Sequence, residues 1–290
     1  MTTQSSTAVA VNEPSTPRHH QLIVTLFGLY ARQHGGALPV ATIIALMQDV
    51  GVESAGTRSS ISRLKKRGVI DSVQVNGRSG YALSQSVLRN FAEGDERIFH
   101  PRRATAEERW LLATFTVPET QRNIRHKIRS ALIGMGFGSV VPGLWIAPEH
   151  VKDAALAYFK RRELDGYFEF FVGEHIGSTD VKYNISSWWD LSTLEQMYSE
   201  FLRENEGRLE TWKARLEADG GSAVEAQAFS EHLILLTQWR RLPYSDPGLP
   251  AEYLPEGWIA LRAEEVFQQL HALLSPLAAR HADRVIGADA

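Results

Sequence analysis

Between residues 20 and 34 the apolar positions recur at helical spacing. Leu22, Ile23, Leu26, Phe27 and Tyr30 share one face, and the Gly35-Gly36 pair stops the pattern. A second helix is predicted from Pro39, a residue suited to a first helical turn, with Val40, Ile43, Ile44 and Met47 inward and an end near Gly51. A third runs from Ser54 as N-cap to Arg67, with Gly68 supplying the left-handed residue beyond it. From Ile70 to Val75 the period changes to alternation, Asn76-Gly77 signals a two-residue hairpin, and the chain returns over Gly80 to Leu83. Three helices and a hairpin in this order predict a winged helix-turn-helix over residues 18–90.

Residues 91–108 show no sustained apolar period and contain His100-Pro101-Arg102-Arg103, which predicts a linker. A buried strand follows at residues 110–117, then a helix over about 119–135, a strand around Leu144-Trp145-Ile146, a helix opened by Pro148, and a strand over 167–172. The order β-α-β-α-β over residues 109–178 predicts a ferredoxin-like layer of two helices on a mostly antiparallel sheet. Residues 179–290 are read as mostly helical, with helices over about 192–216, 224–241 and 262–279. The proline-rich stretch 243–258 forms no regular helix or inner strand and must be pinned by other contacts. The expected fold class is therefore α+β in three parts, behind a disordered tail at residues 1–17 that resembles no secretory signal.

Charge separates these parts. The overall formal charge is −3, yet residues 18–90 hold nine basic against three acidic residues, a net +6. With Glu13 upstream, the chain from Phe91 onward carries −8. A positive field confined to one module implies a polyanion partner, double-stranded DNA. On the third helix Thr57, Ile61 and Leu64 fall on one side, while Ser59, Ser62, Arg63 and Lys66 fall on the other. Small hydroxyls and an arginine suit a major groove, where a guanidinium can donate two parallel hydrogen bonds to guanine. The candidate DNA contacts are Thr57, Arg58, Ser59, Ser62, Arg63, Lys65, Lys66 and Arg67, with Arg78 near the wing tip.

Five of the seven tryptophans lie in the C-terminal part. Trp188, Trp189, Trp239 and Trp258, with Tyr198, Arg240 and Arg241, are candidates to line a pocket for an aromatic or acyl ligand bearing an anion; the alternative is that they are core. Gly134, Gly136 and Gly138 follow a helix, so they are read as turning the chain into the next strand and not as a phosphate loop. The chain has no cysteine, which removes disulfides, thiolate metal sites and thiol nucleophiles, and no His-Glu-x-x-His, Gly-x-Ser-x-Gly or Walker-type motif is present. No apolar run approaches a membrane span. No catalytic residues, metal or cofactor are assigned, and a cytoplasmic location is expected.

Three blocks carry a resemblance to the PaaX family, regulators of phenylacetic acid degradation. They are Thr57-Arg58-Ser59-Ser60-Ile61-Ser62-Arg63-Leu64, then Gly136-Phe137-Gly138 with Pro142-Gly143-Leu144-Trp145-Ile146, then Asp246-Pro247-Gly248-Leu249-Pro250 with Leu254-Pro255 and Trp258. They occur in the family's order along nearly the whole chain after Pro17. The resemblance implies a dimeric repressor of an aromatic catabolic operon, bound to palindromic operators and released by an aryl-acyl-CoA such as phenylacetyl-CoA. It also implies a Cas2-like central domain. Cas2-like nucleases carry an aspartate at the end of the first strand, whereas this chain has Thr114, Thr116 and Val117 there. It departs from the family again at Ala260, where a glycine is common. Two other readings are a winged-helix protein-interaction module and a nuclease or CoA-processing enzyme.

Overall fold

The computed structural model describes residues 17–177, 180–218 and 222–288. The tail expected at residues 1–17 lies outside them except for Pro17. Helix α1 (His19–Leu29) buries Leu22, Ile23, Leu26 and Phe27, then tightens into a 3-10 turn at Ala31–His34 that ends on left-handed Gly35. A short strand β1 (Ala37–Pro39), not foreseen from the sequence, precedes α2 (Val40–Asp49) and α3 (Ser54–Lys66). Glu53, not Ser54, takes the N-cap position of α3. Strands β2 (Ile70–Val75) and β3 (Arg78–Leu83) form the wing, with Val75 opposite Arg78. Asn76 and Gly77 both have positive φ, 49° and 76°, as a two-residue hairpin turn requires. β1 adds to β3, giving the sheet order β1-β3-β2.

The expected linker at 91–108 is half helix. α4 (Gln85–Phe99) runs out of the wing, with Val87, Leu88 and Phe91 packed on the N-terminal core and Ile98 and Phe99 on the C-terminal core. Because its two ends bury apolar side chains against different bodies, no single local period reveals it.

The central part contains β4 (Trp110–Phe115), α5 (Arg122–Gly134), β5 (Gly138–Val141), β6 (Leu144–Pro148), α6 (Lys152–Arg161) and β7 (Phe168–Gly173). The sheet order is β5-β6-β4-β7 with every neighbouring pair antiparallel. This is the ferredoxin-like arrangement with one strand more than the sequence suggested, since β5 is four residues long and bulged against β6. Ile128 and Leu132 of α5 and Ala155 and Phe159 of α6 cover one face. Gly136 has φ +89°, and a side chain on Gly138 would strike the Trp189 ring, so both glycines serve the turn and a close approach.

The C-terminal part holds α7 (Ile185–Trp188), α8 (Leu191–Asn205), α9 (Arg208–Ala218), α10 (Ser222–Trp239), α11 (Leu242–Ser245) and α12 (Ile259–Ala288). The helix expected at 192–216 is thus two, and the last helix runs nine residues past its expected end with Pro276 inside it. An internal proline costs a helix about 3 kcal/mol. Beyond it Leu277, Ala278, Ala282 and Ile286 are buried, and the last three join the core of the winged module together with Phe229 and Leu233 of α10. That burial offsets the proline.

The winged module therefore shares its core with the C-terminal helices. Polar contacts reinforce the seam: Thr237 Oγ1 lies 2.8 Å from Thr25 Oγ1, and His281 Nε2 lies 2.7 Å from an Asp49 carboxylate oxygen. Tyr30 Oη is 2.9 Å from His232 Nδ1, whose Nε2 is 2.9 Å from His271 Nδ1. Burial, then the neighbouring His271, pushes the His232 pKa down to about 3, so this imidazole is neutral in the folded protein at pH 7.

Candidate nucleic-acid interface and interdomain cavity

Helix α3 presents two chemically opposite sides. Thr57, Ile61 and Leu64, spaced i, i+4 and i+7, face the core. Thr57 is 0% exposed and its hydroxyl has no hydrogen-bond partner, so it is corrected from a candidate DNA contact to a packing residue. Arg58, Ser59, Ser62, Arg63, Lys65, Lys66 and Arg67 are all exposed, as is Arg78 in the wing. Among the described residues no carboxylate lies within ion-pair reach of Arg58, Arg63, Lys65, Lys66 or Arg67. Their field extends to α1: the His20 pKa is lowered by partial burial first and then by Arg67, Arg18 and Arg63. A row of uncompensated cations on an exposed helix, beside a hairpin, is the electrostatic footprint of phosphate binding.

The second feature is a partly open cavity between the three parts of the chain. It measures about 290 Å³ and lies where the end of α4 and the segment after it meet the central layer and the C-terminal helices. Met135, Val151 and Ala154 line it from the central layer, and Tyr198, Trp239 and Pro243 from the helical part. Arg97, Arg102 and Arg103 enter it, with Asp246 and Glu264 opposite. Asp246 is the organising group. It accepts hydrogen bonds from Arg103 (3.0 Å), from the Tyr198 hydroxyl (2.8 Å) and from the Gly248 amide (2.8 Å). Arg97 donates to the Pro243 carbonyl at 2.9 Å, and Trp239 Nε1 donates to the Ile98 carbonyl at 2.9 Å. Burial followed by the Asp246 charge holds Glu264 above the usual carboxylate range, although Arg103 acts the other way. The Nε of Arg103 is buried without a partner.

The proline-rich stretch is pinned here, as its composition required. Ala104 donates to the Gly248 carbonyl at 2.9 Å, and a Cβ on Gly136 would lie 2.9 Å from Pro247 Cα. Two of the three blocks of the sequence resemblance, those around Gly136 and Asp246, thus meet at one junction.

Of the seven candidate effector contacts, only Tyr198 and Trp239 line this cavity. Trp189 is 7% exposed, packs beside Trp110 and donates to the Gly136 carbonyl at 2.9 Å, with Trp188 half-buried beside it. Trp258 is buried in the helical core. Arg241 is exposed near Glu200 and Glu204, and Arg240 turns toward α1, where its Nη2 reaches the Gln21 carbonyl at 3.4 Å. The single seven-residue pocket is therefore corrected to several separate locations: Trp188 and Trp189 share a cluster with Trp110, Trp258 lies in the helical core, and Arg240 and Arg241 diverge. The residues missed, Arg97, Arg102, Arg103 and His150, lie in the supposed linker and the central layer. The Pro101-Arg102-Arg103 run is their one visible sequence signal.

A winged helix-turn-helix with an unpaired basic helix face, sharing its core with a helical body and joined by a strut helix to a ferredoxin-like layer, defines a three-part winged-helix class. Three family descriptions match it in order: "PaaX-like protein" over residues 18–87, "PaaX protein central Cas2-like domain" over 103–185, and "PaaX-like protein C-terminal domain" over 189–284. The chain belongs to the PaaX family. It is 24% identical over 260 residues to "Transcriptional repressor PaaX" of Escherichia coli (strain K12), covering 89% of this chain and 80% of that protein. In fold it is similar to an uncharacterized protein from Mycobacterium tuberculosis, with TM-score 0.55 and 19% identity, over 90% of this chain and 97% of that one. Among the described residues no helix is long and apolar enough to cross a membrane.

Proposed function

We propose that this protein is a transcriptional repressor that binds palindromic operator DNA as a homodimer. The observation that carries the reading is the exposed, unpaired basic face of α3 beside the wing, and the name of the Escherichia coli relative supports it. Arg63, Ser59 and Ser62 sit on the groove-facing side and read bases; Arg58, Lys65, Lys66, Arg67 and Arg78 hold phosphates. The effector is an aryl-acyl-CoA or related aromatic compound whose acyl end enters the 290 Å³ cavity, with the regulated genes those of phenylacetate-type catabolism. Arg97, whose hydrogen bonds go to the Pro243 and Tyr244 carbonyls, provides a cation for the thioester's anionic tail, with Arg102, shared with Glu108, beside it. Trp239 ends α10, the helix whose Phe229 and Leu233 lie in the winged core, so a ligand favouring one placement of α10 shifts the reading head. We read the protein as acting without catalysis or cofactor in the cytoplasm.

The test is a titration of the chain's own promoter region against random DNA of equal length at physiological salt, with and without phenylacetyl-CoA. Preferential binding relieved by the thioester supports the proposal. Equal affinity for both DNAs overturns the repressor reading, and cleavage products with magnesium present would favour a nuclease instead.

A further inference from the structure

A second cavity, separate from the one just described, lies between α1, α4 and the end of α10. It measures about 150 Å³ and is walled by Leu29, Val87, Phe91, Ile98, Phe99 and Leu236. Apolar cavities of about 150 Å³ accept a single benzene ring. Its polar wall is unusual: Arg240 lines it, with Asp95 and Tyr244 nearby.

Asp95 is already engaged, 2.7 Å from Arg32 Nη1, so that pair contributes no net charge. Arg240 has no such partner. Among the described residues no carboxylate pairs with it, its Nη2 reaches the Gln21 carbonyl only at 3.4 Å, and its Nε is buried without a hydrogen bond. A half-buried guanidinium whose Nε is left buried and unpaired is costly unless an anion completes it. A guanidinium presents planar, forked donors that match a carboxylate, and the remaining walls match an aromatic ring.

We propose that this cavity binds a small aromatic monocarboxylate of benzoate size, its carboxylate held by Arg240 and its ring among Leu29, Phe91 and Leu236. A thioester has no free carboxylate at its acyl end to meet the guanidinium, so this ligand is distinct in class from the effector assigned to the larger cavity. The position gives the site a regulatory consequence, which rests on the repressor reading; the binding itself does not. Its walls come from the first helix of the winged module, the strut helix and α10, so an occupant clamps the reading head to the body.

The experiment is calorimetric titration of the full chain with benzoate and with benzamide, which has the same shape and no charge, in the absence of DNA. Benzoate is expected to bind saturably at millimolar or lower concentration and benzamide at least tenfold more weakly. Arg240→Met is expected to abolish benzoate binding, and Leu29→Phe, which fills the cavity from α1 and keeps Arg240, is expected to weaken it at least tenfold. Absence of saturable benzoate binding, equal affinity for benzamide, or unchanged benzoate affinity in a folded Arg240→Met overturns the proposal. Should Arg240→Met not fold, the benzoate–benzamide ratio on the unmodified chain decides. Because no DNA is present, failure of operator recognition leaves this result standing.

Discussion

The outer face of α3 and the cavity around Asp246 are both built from charged residues, yet they are organised in opposite ways. On α3 the cations are exposed, close in sequence and without acidic partners. Around Asp246 the charges are buried, drawn from segments up to 143 residues apart, and tied to one another. Exposed unpaired charge costs the fold little and is available to a partner. Buried charge must be satisfied within the fold first, and only what remains is free for a ligand. The two regions should therefore respond to substitution in different observables.

The largest effect is expected at Asp246→Ala. It strands Arg103 and the Tyr198 hydroxyl, and urea unfolding should show a loss of about 3–5 kcal/mol. A loss under about 1 kcal/mol would mean that the junction is solvated and that the contrast with α3 is false.

The interior also titrates. His232 is neutral when folded, with a pKa near 3, while an unfolded chain takes up the proton below about 6.5. The unfolded state binds more protons in that window, so the contribution is fully present above pH 6.5 and is lost as pH falls toward 3. The slope should reach about 1.4 kcal/mol per pH unit, and His271, lowered by burial, acts in the same direction. His232→Gln should flatten the unfolding free energy against pH over this range; an unchanged slope would locate the titration elsewhere.

At α3, Arg63→Ala should weaken operator binding by about 1–3 kcal/mol with unfolding unchanged, and selectivity should relax at one base pair. Lys66→Ala should act more evenly across sequences and reduce the salt slope of binding by about 1. Gel-shift titrations at several salt concentrations separate these two outcomes. If both variants instead lose stability as Asp246→Ala does, the face is structural.

The smallest effect is expected at Thr57. Its buried hydroxyl lacks a partner, so Thr57→Val should alter stability by less than about 1 kcal/mol, toward higher stability, and leave DNA affinity unchanged. A clear loss of DNA affinity would return Thr57 to the interface.

The winged module was legible because its cues are local: a 3.6-residue period over 22–30, the Asn76-Gly77 turn, and the alternating sides of α3. The central β-α-β pattern was equally legible, but the short, bulged β5 was not, since four residues beside a glycine turn carry too little alternation. The reach of α12 past Pro276 was hidden because a proline reads locally as a stop, while the apolar surface that sustains the helix belongs to residues 22–83.

For the chemistry the same division holds. The sequence by itself determined the basic face, because residues seven apart on one helix must share a side whatever the rest of the chain does. Only the tertiary structure decided that Trp189 and Trp258 are core, and that Arg103 and Tyr198 converge on Asp246. It also separated Arg240 from Arg241, adjacent residues that end up at different cavities. A helix face is fixed by 1.5 Å and 100° per residue, whereas a cavity is what remains between bodies after they pack.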